Sequence, residues 1–200
     1  GNGGANGDCD IDGLDGGTTG FVRQMFNANE LPTDEAICCW GDEGIPAFNY
    51  NQWGASHPML KGFYYRLYFG VTMCNFYLTE AADYDATMTA EVRFLRALYY
   101  YHLMDCFGNI PFLTVVSSEP APQATRQEVY NFIESELLDI EGTMSAPMTG
   151  THGRADQAAA WMLLARLYLN AEVYTGTAQW QKAAEYAQKV MNSAYKLHTT

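Results

Sequence analysis

The sequence predicts an all-α protein in which helical hairpins follow a loop-rich amino-terminal lead and little strand is formed. Three observations lead to this prediction. Gly, Asn, Asp and Pro are concentrated in residues 1–58, apolar residues then recur at helical spacing, and the last two helical segments carry small-residue faces. The 200 residues, 48% of them apolar, are enough for one core. We expect a single domain over residues 1–200, with the lead in 1–58 and the helices in 59–200.

Only one helix is predicted in the lead, over about residues 18–27, because the rest of the lead is rich in turn-forming residues. The first long helix follows it. Six apolar or aromatic residues recur there at three- and four-residue steps and form one face: Leu60, Tyr64, Leu67, Val71, Cys74 and Leu78. This helix is expected to end before the turn sequence AADYD.

A second helix is predicted over residues 91–107, where apolar and aromatic residues leave little polar face. Such a helix has to be surrounded by other elements. Gly108 can cap its carboxyl end in a left-handed conformation, and Pro111 prevents continuation. The β-branched, apolar stretch 112–116 is then expected to be extended.

Thr125 and Glu128 form a capping-box sequence, because the Thr hydroxyl can accept from the third helical amide and the Glu carboxylate can reach back to the capping amide. A third helix is therefore predicted from residue 125 to about residue 143. Two further helices are predicted over residues 155–173 and 180–192, separated by the turn YTGTA.

The last two helices match a tetratricopeptide-like hairpin. Trp161, Leu164, Ala165 and Tyr168 have the spacing found in the first helix of such a repeat, where a small residue lets the partner helix approach. The second helix offers a small-residue face around Ala183. Tight helical hairpins of other kinds also favour small residues at their crossing.

Composition excludes several classes of function. With 23 acidic and 11 basic residues the net charge is −12, which repels nucleic acid and anionic membranes where no basic patch exists. No apolar run reaches the roughly 18–20 residues of a membrane span. The five cysteines are an odd number without C-x-x-C spacing, so neither a zinc site nor a disulfide framework is expected. No cofactor is expected.

One helix-and-turn stretch resembles the signature of the SusD/RagB family. The sequence RFLRALYYYHLMDCFGNIPF, residues 93–112, is similar to that family's aromatic-rich helix followed by a Phe-Gly-Asn/Asp-x-Pro turn. Residues 153–176 resemble the family's following repeat, and residues 29–37 resemble its early loop. The three blocks stand in family order.

The resemblance implies a surface-exposed outer-membrane lipoprotein of Bacteroidetes-like bacteria that takes up carbohydrate without being an enzyme. Such a nutrient-binding protein would bind an oligosaccharide or polysaccharide and deliver it to a SusC-like TonB-dependent transporter. Family members are much longer, so the chain is expected to be the amino-terminal portion of one, without the lipid anchor. The alternative is a tetratricopeptide scaffold that binds proteins and no glycan.

The segment ICCWGDEGIPAFNYNQW holds the candidate glycan-binding residues. Sugar rings stack their C–H faces on aromatic planes, and their hydroxyls need amide or carboxylate partners. The candidates are Trp40, Tyr50 and Trp53 for stacking, with Asn49 and Asn51 for hydrogen bonding. The alternative is that these aromatic residues pack the loop onto the helices.

Three acidic residues near the start imitate the opening of a calcium-binding loop: Asp8, Asp10 and Asp12. A bidentate Glu is required at the closing position, where this sequence has Thr19. The default interpretation is an acidic turn in solvent, with calcium as the alternative.

Two adjacent acidic pairs, Asp34-Glu35 and Asp42-Glu43, could suggest a glycosidase, which needs two carboxylates flanking the scissile bond. Neighbouring residues usually point apart, and nothing supplies a matched acid and base environment. Asp34 is instead expected to cap a helix that begins there. A catalytic function is therefore not predicted.

Overall fold

A computed structural model describes residue 11 and residues 16–197. A 3-10 turn at Gly16–Thr18 precedes the helices. In chain order the elements are α1 (Phe21–Glu30), α2 (Ile45–Asn49), α3 (Pro58–Glu80), α4 (Ala86–Phe107), β1 (Ile110–Pro111), β2 (Gln123–Ala124), α5 (Arg126–Ile140), α6 (Gln157–Leu169), α7 (Ala171–Thr175) and α8 (Trp180–Met191). The predicted all-α class with little strand is confirmed.

The chain forms two compact units, Gly1–Phe69 and Gly70–Thr200, whose boundary falls within α3. In the described ranges 11 and 16–197, no helix has both the length and the apolar character needed to cross a membrane. The single-domain organisation stays a prediction.

The first unit is built around a small core of Leu31, Ile45, Phe48 and Met59. Short α2 begins at Ile45 because Gly44 adopts a left-handed conformation, with φ of 96°. The Nε2–H of buried His57 donates to the Gly44 carbonyl at 2.9 Å, and its ring packs on Phe48 with centroids 4.4 Å apart. These contacts hold the loop-rich lead against its core.

The helix expected to begin at Asp34 is absent, so that prediction is wrong. Residues 31–35 form turns in which the Thr33 hydroxyl donates to the Glu30 carbonyl and accepts from the Glu35 amide. Thr33 therefore ends α1 instead of Asp34 starting a helix. The following stretch, 36–42, is irregular.

Helix α4 is the centre of the second unit. Tyr100, Leu103 and Met104 are fully buried on it, as its nearly continuous apolar surface predicts. It begins at Ala86, five residues before the predicted start, because the Asp85 carboxylate accepts from the Met88 amide at 2.7 Å and caps the helix.

Residues 112–116, predicted to be extended, are irregular and bend at residues 114–115. The strand before them is β1, which pairs with β2 in an antiparallel ladder that ends at the Phe112 amide and the Pro122 carbonyl. Beyond it, side chains bind the backbone. The Leu113 carbonyl accepts from the Tyr100 hydroxyl at 2.6 Å and from the Asn75 amide at 3.0 Å.

The capping box at Thr125 and Glu128 is present in full and starts α5 as predicted. A carboxylate on α5 joins this helix to α4. Glu136 accepts from Arg93 at 2.7 Å and from Arg96 at 2.8 Å. Because the two cations share one half-buried anion, the ion pairs also fix the register of α4 against α5.

The helical hairpin at the carboxyl end is confirmed, with one change. α6 packs extensively on α8, and Ala165, Tyr168 and Ala183 are buried. The helix predicted over 155–173 is divided at Asn170, whose ψ of 10° ends α6 before α7 begins. Gly176 then ends α7 in a left-handed conformation.

Candidate functional site

The first unit contains an exposed indole ring, that of Trp40. Trp40 is 66% exposed, although the preceding Ala36 and Cys38 pack against the core of this unit. The guanidinium of Arg23 on α1 lies over this ring, 5.3 Å from its centroid. The Arg23 Nη2 also donates to the Asp42 carboxylate at 2.8 Å, and Nη1 donates to the Gly17 carbonyl.

These contacts orient Trp40 without burying it. A cation over an exposed indole contributes about 0.5–1 kcal/mol, and the ion pair with Asp42 limits the positions that Arg23 can adopt. A fixed aromatic surface loses little conformational entropy when a ligand stacks on it. Sequence reasoning missed Arg23, which lies 17 residues before Trp40. Its position on the predicted lead helix was the only available signal.

The other two predicted rings differ in exposure. Trp53 is 44% exposed and packs edge-on against Phe48, with ring centroids 5.8 Å apart. It therefore combines a packing role with a solvent-facing edge. Tyr50, at the carboxyl end of α2, is 71% exposed and makes no ring contact with the residues described here.

The two predicted asparagines hold the backbone. The Asn49 Nδ2 donates to the Cys38 carbonyl at 2.8 Å, and its Oδ1 accepts from the Cys38 amide at 3.5 Å. Asn51 has a left-handed backbone with φ of 54°, and its Nδ2 donates to the Pro32 carbonyl at 3.1 Å. Asn49 thus attaches α2 to residues 38–42, which are called the Trp40 segment. The Asn51 Oδ1 can still accept a hydrogen bond from a ligand.

A shallow depression of about 300 Å³ lies beside Asn49. The rest of its lining comes from the turns after α1 and includes the Asp34 and Glu35 side chains: Leu31, Thr33, Asp34, Glu35, Ala36 and Ile37. Its polar rim and exposed Ile37 suit a ligand with both hydroxyl and C–H surface. No sequence pattern predicts this depression.

The acidic residues of the two adjacent pairs have different contacts in the structure. Asp42 is ion-paired with Arg23, whereas Asp34 and Glu35 line the depression. Within residues 11 and 16–197, no group of three or more His, Cys, Asp and Glu side chains could hold a metal ion. The calcium candidates Asp8, Asp10 and Asp12 lie outside the described residues.

Comparison with known proteins identifies the family of this chain. Residues 39–169 match a SusD-like family model described as "Starch-binding associating with outer membrane". The starch-binding protein SusD of Bacteroides thetaiotaomicron is 44% identical over 98% of this chain. The chain spans 36% of the length of that relative.

Solved structures show the same fold. A SusD superfamily protein from Parabacteroides distasonis is 28% identical, with a TM-score of 0.71 over 85% of this chain and 39% of its own. A laminarin-binding SusD-like protein is 29% identical, with a TM-score of 0.66 over 78% of this chain and 36% of its own. The family model covers more than half of the sequence, including Trp40 and α4, and the chain therefore belongs to the SusD-like family.

Proposed function

We propose that the chain forms part of a non-catalytic saccharide-binding surface on which Trp40 is the stacking ring. The exposed indole, oriented by Arg23 and Asp42, is the observation that carries this proposal. Two relatives, a starch-binding and a laminarin-binding protein, support a glucan as the ligand.

The chemistry around Trp40 suits a sugar ring. Aliphatic C–H groups of a pyranose pack on the indole, while hydroxyls accept from Arg23 or donate to the Asp42 carboxylate. Tyr50 and Trp53 offer further aromatic surface, and the Asn51 Oδ1 offers an acceptor. Asn49 contributes by holding α2 against the segment that carries Trp40.

The same proposal includes transport. The bound saccharide would pass from a surface-exposed lipoprotein to a SusC-like TonB-dependent transporter in the outer membrane. The family description, which associates starch binding with the outer membrane, supports this location.

A pair of tryptophan substitutions tests the proposal. Trp40→Ala in the complete gene product should weaken binding to soluble starch or laminarin at least tenfold, because stacking on an oriented ring is lost. Trp180→Ala is the matched control, since Trp180 is 61% exposed on α8, far along the chain from the candidate residues. Isothermal titration calorimetry measures both affinities.

Two outcomes would contradict the proposal. Equal affinities for Trp40→Ala and the unaltered protein would remove Trp40 from the binding surface. A complete gene product that binds no polysaccharide would instead favour the tetratricopeptide scaffold, which binds proteins and no glycan.

A further inference from the structure

The second unit contains a groove that the proposed Trp40 surface does not use. It has a volume of about 910 Å³, within the range of small-molecule sites. Its lining comes from α4, from the loop before α6 and from Tyr195. The lining that matters here combines apolar side chains with an ion pair: Met88, Val92, Leu95, Glu91, Arg154 and Tyr195.

Glu91 is a nearly buried carboxylate in this lining, with 8% of its surface exposed. Its Oε2 accepts from the Arg154 Nε at 2.7 Å and also from the Arg154 Nη2. Its Oε1 makes no hydrogen bond with any residue that the structure describes. The Arg154 Nη1 has no acceptor among those residues either. One carboxylate oxygen can therefore still accept and one guanidinium nitrogen can still donate, so this pair is suited to a ligand that both donates and accepts hydrogen bonds.

Tyr195 supplies an oriented ring at the end of the groove. Its hydroxyl donates to the Asp156 Oδ2 at 2.8 Å, and the residue is 45% exposed. Asp156 is itself held, because its Oδ1 accepts from the Ala158 amide and its Oδ2 accepts from the Met148 amide. The hydroxyl is therefore engaged, and the ring surface remains for a ligand.

We propose that this groove is a second saccharide-binding site, with Glu91 and Arg154 binding neighbouring hydroxyls and Tyr195 stacking on the sugar ring. The choice of a saccharide as the ligand rests on the function proposed above for the Trp40 surface. One hydroxyl of a vicinal pair donates to the Glu91 Oε1, and the other accepts from the Arg154 Nη1. The charges of Glu91 and Arg154 offset each other and Asp156 adds a negative charge, so an anionic ligand is disfavoured relative to a neutral one, and the apolar wall contacts the C–H groups of the ligand.

The test uses the complete gene product carrying Trp40→Ala, so that the first surface is weakened and the groove is observed by itself. Maltoheptaose is titrated while the backbone amide resonances of His152 and Gly153, which line the groove, are followed by NMR. We expect saturable shifts. Adding Tyr195→Ala should weaken this binding at least tenfold. Tyr195→Phe is the matched control, because it keeps the ring and removes only the bond to Asp156, so its affinity should change less than threefold.

Three results would overturn the second site. They are unshifted His152 and Gly153 amides at saturating maltoheptaose, equal affinities for Tyr195→Ala and Tyr195→Phe, or shifts with a neutral blocked dialanine peptide and none with the saccharide. Failure of the Trp40 surface gives a different pattern. In that case the protein with native Trp40 binds maltoheptaose no more tightly than Trp40→Ala does, whatever residue 195 is.

Discussion

The side chain of Asp156 accepts hydrogen bonds from three different parts of the second unit. Its carboxylate accepts from the Ala158 and Ala159 amides at the start of α6, from the Met148 amide and from the Tyr195 hydroxyl. The side chain is buried, with 5% of the residue exposed, so water cannot replace these bonds. One residue therefore starts a helix, fixes a loop and orients the ring of the proposed second site.

Asp156→Ala should lower the free energy of unfolding by about 2–3 kcal/mol, since it removes a helix cap and leaves buried donors without an acceptor. Urea denaturation measures the change. Asp139→Ala is the control, because Asp139 makes an ion pair with Arg93 but its side chain is 67% exposed. That substitution should cost less than about 1 kcal/mol. Similar losses for the two variants would contradict this account of Asp156.

His102 makes the stability of the protein depend on pH. Burial, assisted by the positive charge of Arg166, lowers the pKa of His102 to about 4. The unfolded chain binds a proton near pH 6.5, whereas the folded chain does not. Stability from this residue is therefore complete above pH 6.5 and is lost as the pH falls from 6.5 towards 4.

His102→Gln should remove this component, so the variant should lose less stability than the unaltered protein between pH 7 and pH 4.5. Thermal unfolding at several pH values measures the difference between the two proteins. An identical loss in both would show that His102 does not keep a low pKa in the folded chain.

The candidate binding residues were only partly predictable from the sequence. Trp40, Tyr50 and Trp53 stood out because large aromatic residues are unusual in a segment rich in Gly and Pro, and all three are exposed in the structure. Arg23 was not predictable, since its contact with Trp40 depends on how α1 packs. The backbone role of Asn49 was equally hidden, because a sequence does not show which carbonyl a side-chain amide will meet.

At the scale of elements, Gly70 determines how closely α3 and α4 approach. A Cβ at this position would lie 2.5–2.8 Å from three ring atoms of Tyr99 on α4. Only a residue without a side chain allows the ring to lie there. Gly62, in the same helix, would meet its nearest atom at 3.5 Å, which is an ordinary contact.

Gly70→Ala should therefore destabilise the protein by about 1–3 kcal/mol through overpacking. Gly62→Ala should be neutral or stabilising by up to about 1 kcal/mol, because alanine favours the helix. Chemical denaturation of both variants gives the comparison. A stabilising Gly70→Ala would mean that Tyr99 moves aside at little cost.

Elements with a repeated pattern were the ones predicted well. The long apolar period of α3 and the capping box of α5 located those helices, because both signals depend only on neighbouring residues. Helix α2 was missed because five residues are too short for a period. Residues 112–116 were predicted to be extended but are irregular, since the Leu113 carbonyl is bound by Tyr100 and Asn75, which are distant in sequence.

At the scale of the whole molecule, helices form the structural framework, and irregular segments carry most of the proposed ligand contacts. The family model covers helices and irregular segments alike, and within its range Trp40 and the loop before α6 carry the proposed ligand contacts. A fold does not specify a ligand. The net charge of −12 adds one constraint, because it disfavours acidic polysaccharides relative to neutral ones.

The structure of the complete gene product bound to maltoheptaose tests the central claim most directly. The account predicts a sugar ring with its C–H face against Trp40 and a hydroxyl within hydrogen-bond distance of Arg23 or Asp42. A bound saccharide that leaves the Trp40 ring bare, with its hydroxyls held elsewhere, would contradict it.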